Sequence, residues 1–170
     1  YVKPIIYISG NHDPRKDKLQ KSFPSINFCN ELSINNIKII HGNEFDKFII
    51  KYSWLAKLLY CVHWIFERFG FDIQSFSRNI LHSVGMKKEK KYYNDLVFDI
   101  EENAVYKYKN DGYNILIMGH THLPKFVIKD NFTYVNSGDW IYNKTYIELD
   151  DQTIKLINAK TGEINKYEYT

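Results

Sequence analysis

The hydrophobic period of this chain changes twice, and those changes constrain the fold more than any other feature. From Ile5 to Ile40 the apolar residues fall in short β-branched and aromatic runs. From about Phe45 to Tyr108 they recur every three to four residues, and from Asn114 onward they alternate again. Strands, a helical block and strands again predict an α/β fold, with a helical insertion over 46–108 set into a single domain spanning 1–170. The 170 residues are 44% hydrophobic and 25% charged, enough for one core and too apolar for disorder. No internal repeat, low-complexity segment or linker interrupts them.

The first part reads as a buried strand Ile5-Ile6-Tyr7-Ile8 ended by Ser9-Gly10, then a polar helical turn from Pro14 to Phe23-Pro24. Runs Ile26 to Ser33 and Ile37 to Ile40 follow, joined at Asn35-Asn36, where Asn tolerates the positive φ of a tight hairpin. In the helical block, Trp54, Leu55, Leu58, Leu59, Val62, Ile65, Phe66 and Phe69 form one stripe, leaving a narrow polar edge at Lys57, His63 and Glu67. Its charge-free stretch, Leu58 to Phe66, is far shorter than the roughly 20 residues of a membrane span. A second helix is expected over Asp72 to Val84. A third begins at Lys87 and stops at Asp111-Gly112, with Tyr93, Leu96, Val97, Ile100 and Ala104 on its buried side.

Beyond it, Asn114 to Met118 is an apolar strand. Lys125 to Ile128 pairs with Phe132 to Val135, and Thr145 to Leu149, Ile154 to Ala159 and Ile164 to Tyr169 form an antiparallel meander. The chain opens Tyr1-Val2-Lys3-Pro4-Ile5, without an initiator Met, as though entered in mid-domain; the lack of a signal peptide therefore carries no information. A net charge of +3 does not call for a nucleic-acid partner, and none is expected. Cys29 and Cys61 are too few for a disulfide framework and point to a reducing, cytoplasmic setting.

Three loops, each following a strand, present metal-capable side chains: Gly10-Asn11-His12-Asp13, His41-Gly42 and Gly119-His120-Thr121-His122. In an extended loop residues i and i+2 project to the same side, so His120 and His122 can serve two adjacent metals; on a helix they would diverge by about 200°. Each motif alone has a plainer reading, Asn-His-Asp as a turn and His-x-His as a surface coincidence. In this order, each after a strand, they point to a shared site. His63 and His82 lie on predicted helices without a second ligand at i+3 or i+4 and read as structural.

These motifs together resemble the later half of the signature of calcineurin-like metallophosphoesterases, αββα sandwiches that hold two divalent metals. His41-Gly42-Asn43-Glu44-Phe45-Asp46, the helical insertion and Tyr134-Val135-Asn136-Ser137-Gly138-Asp139-Trp140 are similar to the UDP-2,3-diacylglucosamine pyrophosphatase branch, which cleaves a nucleotide–lipid pyrophosphate in lipid A synthesis. The resemblance implies that Asn11, His41 and His120 bind one metal and His122 the other. His12 would then stabilise or protonate at the phosphoryl centre, with Asp13 orienting its ring. Manganese is the metal implied, with iron or zinc as alternatives.

Two departures stand out. Asn43 occupies a position where much of that branch has Asp. The family's Asp-x-His and Gly-Asp blocks, which supply the bridging carboxylate, have no counterpart before Tyr1. Activity is accordingly expected of the complete protein and little or none of this segment alone.

The expected substrate is an anionic phosphate compound, with an acylated one favoured by the insertion. Lys51 to Lys91 carries eight Lys and Arg against Glu67, Asp72 and Glu89, beside an apolar helix. Such a cap would receive acyl chains and touch the inner membrane face peripherally; the plainer reading is a helical subdomain packing its own core. A soluble-nucleotide phosphodiesterase or phosphatase, and a degenerate module that binds without catalysis, are the alternatives.

Overall fold

The apolar runs of the first and last parts form strands, with one run divided between two sheets. A computed structural model describes residues 4–47, 50–51, 65, 68 and 87–169. The predicted helix after Trp54, the helix over Asp72 to Val84 and Cys61 lie outside the described residues. The chain divides into two compact units, Tyr1–Asn43 with Asn103–Thr170, and Glu44–Glu102. Among the described residues no helix is long and apolar enough to cross a membrane.

In the first unit β1 (Ile5–Ile8) leads through α1 (Lys16–Ser22) to β2 (Ile26–Cys29), which pairs with it in parallel, Ile5 opposite Ile26 and Ile8 opposite Cys29. The helix ends where Phe23 N donates to Leu19 O at 2.9 Å and Pro24 cannot continue it. Here the structure corrects two sequence expectations. The run Ile26 to Ser33 is not one strand: Asn30 breaks it, and β3 (Glu31–Ile34) joins a different sheet. Nor is β1 a buried strand, since Ile5, Ile6 and Tyr7 remain exposed; its only sheet neighbour among the described residues is β2.

The five-stranded sheet has the order β3-β4-β5-β7-β6, with β4 at Ile37–Ile40, β5 at Ile115–Met118, β6 at Lys125–Lys129 and β7 at Phe132–Asn136. The pairs β4–β5 and β5–β7 are parallel, while the two edge pairs are hairpins. Their tight turns use Asn35 at φ 51° and Asp130 and Asn131 at φ 50° and 60°, left-handed conformations that Asn and Asp tolerate. The meander β8 (Thr145–Leu149), β9 (Thr153–Asn158) and β10 (Ile164–Glu168) forms a three-stranded antiparallel sheet, as its alternation predicted.

Period-two alternation sorts the central strands into two faces. Ile37, Ile115, Ile117 and Val135 meet Ile154 and Leu156 of the meander in one buried cluster, so the two sheets share a core. The other face carries Lys38, Leu116, Met118 and Tyr134, all buried. Helix α2 (Lys87–Asn110) brings Tyr108 to this side, its ring centroid 5.5 Å from Lys38 Nζ. Lys38 is buried because it is paired: Nζ donates to Glu31 at 2.7 Å and to Ser33 Oγ at 3.2 Å, with Tyr113 also at 5.5 Å. Burial pulls its pKa down, but the Glu31 hydrogen bond and charge outweigh this and hold it above the ordinary lysine value.

The central strand sets the stability of this unit. Leu116, fully buried, should cost about 2–5 kcal/mol when replaced by Ala. Tyr142→Ala, at an 86% exposed position, should stay within about 0.5 kcal/mol of the parent. Urea unfolding of both variants measures the contrast.

Candidate metal centre

The parallel strands β4 and β5 end side by side, and Gly119 N donates to His41 O at 3.2 Å across the gap. That register brings the two following loops together. The His41 and His120 rings meet edge-on with centroids 5.2 Å apart, and His41 Nε2 lies 3.2 Å from Asn11 Oδ1 in the loop after β1. Two glycines make the approach possible. A Cβ on Gly10 would stand 2.8 Å from the His41 ring, and one on Gly42, at φ 109°, would stand 2.5 Å from Met118 Sδ.

The remaining predicted residues are placed less closely. His12 and His122 are exposed, though the charge of each reaches His41. Asp13 does not accept from the His12 ring; Gly10 N donates to one of its oxygens at 2.7 Å and Tyr7 OH to the other at 3.0 Å. The local backbone three residues back is the nearer donor, as is usual for an Asp in a turn. That hydrogen bond, with burial as the larger cause, raises the Tyr7 pKa.

His41 is pushed down to about 4, first by burial and then by the His120 charge, with Asp13 acting in the opposite sense and His122 and His12 lowering it further. It is therefore a neutral imidazole at neutral pH, the form that donates a lone pair to a metal. Ser9 Oγ is buried beside this loop without a hydrogen-bond partner among the described residues. Two imidazoles and an amide oxygen are a donor set suited to a borderline divalent ion. Among the described residues no three His, Cys, Asp or Glu side chains gather as a metal-binding group, so a bound ion would need ligands beyond this set.

The loop after β5 is held by polar residues outside the three loops singled out as ligand-bearing. His120 and His122 both take positive φ, 56° and 58°, rather than the extended backbone assumed from the His-x-His spacing. Asn136, fully buried at the end of β7, donates from Nδ2 to Gly119 O at 2.9 Å and to Thr121 Oγ1 at 2.8 Å, while its Oδ1 accepts from Gly138 N at 3.0 Å. From the other side, Asn143 Nδ2 donates to His122 O at 2.9 Å and to Asp139 at 2.5 Å. Asp139 also accepts from Ile141 N and Tyr142 N, and these bonds, Tyr142 foremost, hold its carboxyl below the usual range. A polar cluster Asn-Ser-Gly-Asp directly after an apolar strand was the available signal.

No protein-family model and no curated protein matches the sequence. Solved structures do. A conserved protein from Streptococcus pneumoniae described as a predicted phosphoesterase is 15% identical, with 82% of this chain and 60% of that one covered and a TM-score of 0.36. Vps29 from Entamoeba histolytica, solved as a single mutant, is 16% identical over 96% of this chain and 68% of its own, with a TM-score of 0.42. An archaeal phosphodiesterase is 15% identical over 99% and 70%, with a TM-score of 0.39. This chain thus spans less than two thirds of the length of the first of them.

Two outcomes test the geometry. Asn136→Ala removes a buried donor and acceptor together and should cost about 1–3 kcal/mol, with faster hydrogen exchange at the Gly138 amide. For His41, a folded pKa of about 4 against 6.5 in the unfolded chain means that acidification protonates the unfolded state first. Its contribution is complete above 6.5 and lost as the pH falls to about 4. Urea midpoints of the metal-free protein should fall across that window, and His41→Gln should flatten the fall.

Proposed function

We propose that the complete protein is a metal-dependent hydrolase of phosphoesters or phosphoanhydrides. The observation that carries this reading is the convergence of Asn11, His41 and His120 from three separate loops, with neutral His41 at their centre. Asn11, His41 and His120 would hold one divalent ion and His122 would contribute to a second, manganese being the preferred ion and iron or zinc the alternatives. The ions, when bound, supply Lewis acidity toward phosphoryl oxygens and activate water near neutral pH. The chain's own part is to fix these donors, to offer the exposed His12 ring as proton donor to the leaving oxygen, and to keep the Asp13 carboxylate within electrostatic reach of His41.

For the substrate, we favour a nucleotide–lipid pyrophosphate of the UDP-2,3-diacylglucosamine type. Support comes from the motifs His41 to Asp46 and Tyr134 to Trp140, and from the excess of five positive charges between Lys51 and Lys91 beside an apolar stretch. On this reading residues 46–108 are a cap that takes acyl chains, and the protein touches the inner membrane face peripherally.

The test uses the full-length protein with manganese and two substrates, a detergent-dispersed nucleotide–lipid pyrophosphate and bis(p-nitrophenyl) phosphate. Hydrolysis of both, with the lipid compound preferred, is expected. Asn11→Ala and His120→Ala should lower metal retention and reduce kcat/KM about 100-fold or more. Preference for soluble nucleotides would leave the hydrolase and remove the lipid substrate. Failure to retain manganese, iron or zinc would favour a module that binds without catalysis, and unchanged metal and rate in both variants would remove the ligand assignment.

A further inference from the structure

The opposite end of the sandwich holds a cleft unrelated to the histidines. Its volume is about 750 Å³, and it lies where the five-stranded sheet and the meander part from one another. Its apolar lining comes from Ile34, Ile37 and Ile115 of one sheet and Leu149 of the other, of which Ile37 and Ile115 belong to the shared core and Leu149 packs against it. Around it stand three tight turns: Asn35-Asn36 before β4, Asn131 before β7, and Asp150-Asp151 between β8 and β9.

The chemistry of this rim is selective. Asn35, Asn36, Asn114 and Asn131 line the cleft. The backbone of this group serves the sheet, since Asn114 N and Ile115 N donate to Asn36 O, and Thr133 N donates to Asn114 O. Their side-chain amides make no hydrogen bond to the other described residues. Four residues whose amides can each donate and accept thus stand among those lining the cleft. The carboxylate of Asp150 is already occupied by Gln152 N, Thr153 N and Thr153 Oγ1, which leaves Asp151 as the rim's second acid.

One wall is aromatic. Tyr167 and Tyr169 stand half-buried with ring centroids 6.4 Å apart and planes 31° from each other. The hydroxyl of Tyr169 donates to Asp150 O, fixing that ring against the turn. Among the described residues no Lys or Arg lines the cleft, while two Asp do, so an anion meets no compensating charge there and bears a desolvation cost.

From these features we propose that the cleft is a binding site for a neutral polyhydroxylated ligand, a mono- or disaccharide. Vicinal hydroxyls match amides that donate and accept at once, and the C–H face of a pyranose matches a tyrosine ring beside an apolar lining. The site is independent of the hydrolytic reading, being built from the N-terminal ends of the parallel strands rather than their C-terminal ends.

The experiment follows amide signals of the full chain by two-dimensional NMR during titration with methyl α-D-glucopyranoside, maltose, glucose 6-phosphate and putrescine. Saturable shifts at millimolar maltose or glucoside are expected, confined to residues 34–37, 114–115, 130–131, 149–152 and 167–169. Asn35→Gly with Asn131→Gly keeps both positive φ values and removes two amides; it should weaken maltose at least about fivefold, with the thermal midpoint retained. Tyr167→Leu, which keeps apolar packing, should weaken it comparably. The proposal is overturned if no sugar gives saturable shifts, or if neither variant changes them. Tighter binding of the phosphorylated sugar, or of putrescine, which would make this a cation site, overturns it equally.

Discussion

The buried amide of Asn136 is the interaction on which the candidate centre depends. A residue with a side chain in the left-handed region costs roughly 1–2 kcal/mol, and the four-residue segment from Gly119 to His122 contains two, His120 and His122. Such a segment persists only where its surroundings over-determine it. Asn136 does so from inside the protein, binding Gly119 O and Thr121 Oγ1, and its own position is fixed because β7 lies beside β5 with Met118 opposite Asn136. The same parallel pairing that buries Leu116 and Val135 thus delivers the amide to the loop. Site geometry and core packing are one construction.

Asn143 works from the outside with less to lose. Its bond to His122 O rests on a surface turn organised by the Asp139 carboxylate, which accepts from two backbone amides as well. A short polar turn can hold an exposed His because little desolvation is at stake there. The inner latch is buried and the outer one is wet, matching half-buried His120 and exposed His122.

Much of the fold was legible in local pattern. Asn35-Asn36 named its own hairpin, and the meander's alternation named three antiparallel strands. The division at Asn30 was not legible, because Ile26 to Ser33 has one continuous character and only tertiary partners assign its halves to different sheets. Lys38 was hidden for a related reason: a polar residue in an alternating strand ordinarily marks solvent, but here Glu31, Ser33 and two tyrosine rings receive it. In the candidate centre, the three loops singled out in the sequence are the ones whose Asn11, His41 and His120 the structure brings together. The route by which His120 and His122 approach His41 depends on backbone torsions that spacing does not encode. The cluster Asn136-Ser137-Gly138-Asp139 marked a polar turn after a strand, but not that the Asn136 amide is buried, since a buried amide and a loop amide look alike in a string of letters.

The topology also explains why the five-stranded sheet has two unlike ends. In β4, β5 and β7 all strands run the same way, so the chain leaves each at one end through a loop that must travel, after Ile40, Met118 and Asn136. It enters β4 and β7 at the other end through two-residue turns from their antiparallel neighbours. Travelling loops have room for glycines, histidines and unusual torsions. Tight turns admit chiefly Asn, Asp and Gly, because the twist of the strands demands positive φ. An imidazole-bearing end and an amide-bearing end therefore follow from strand direction before any selection for chemistry. The residues that make turns cheaply are also the ones whose side chains donate and accept hydrogen bonds, so the end built for geometry is left with recognition chemistry it did not need for folding.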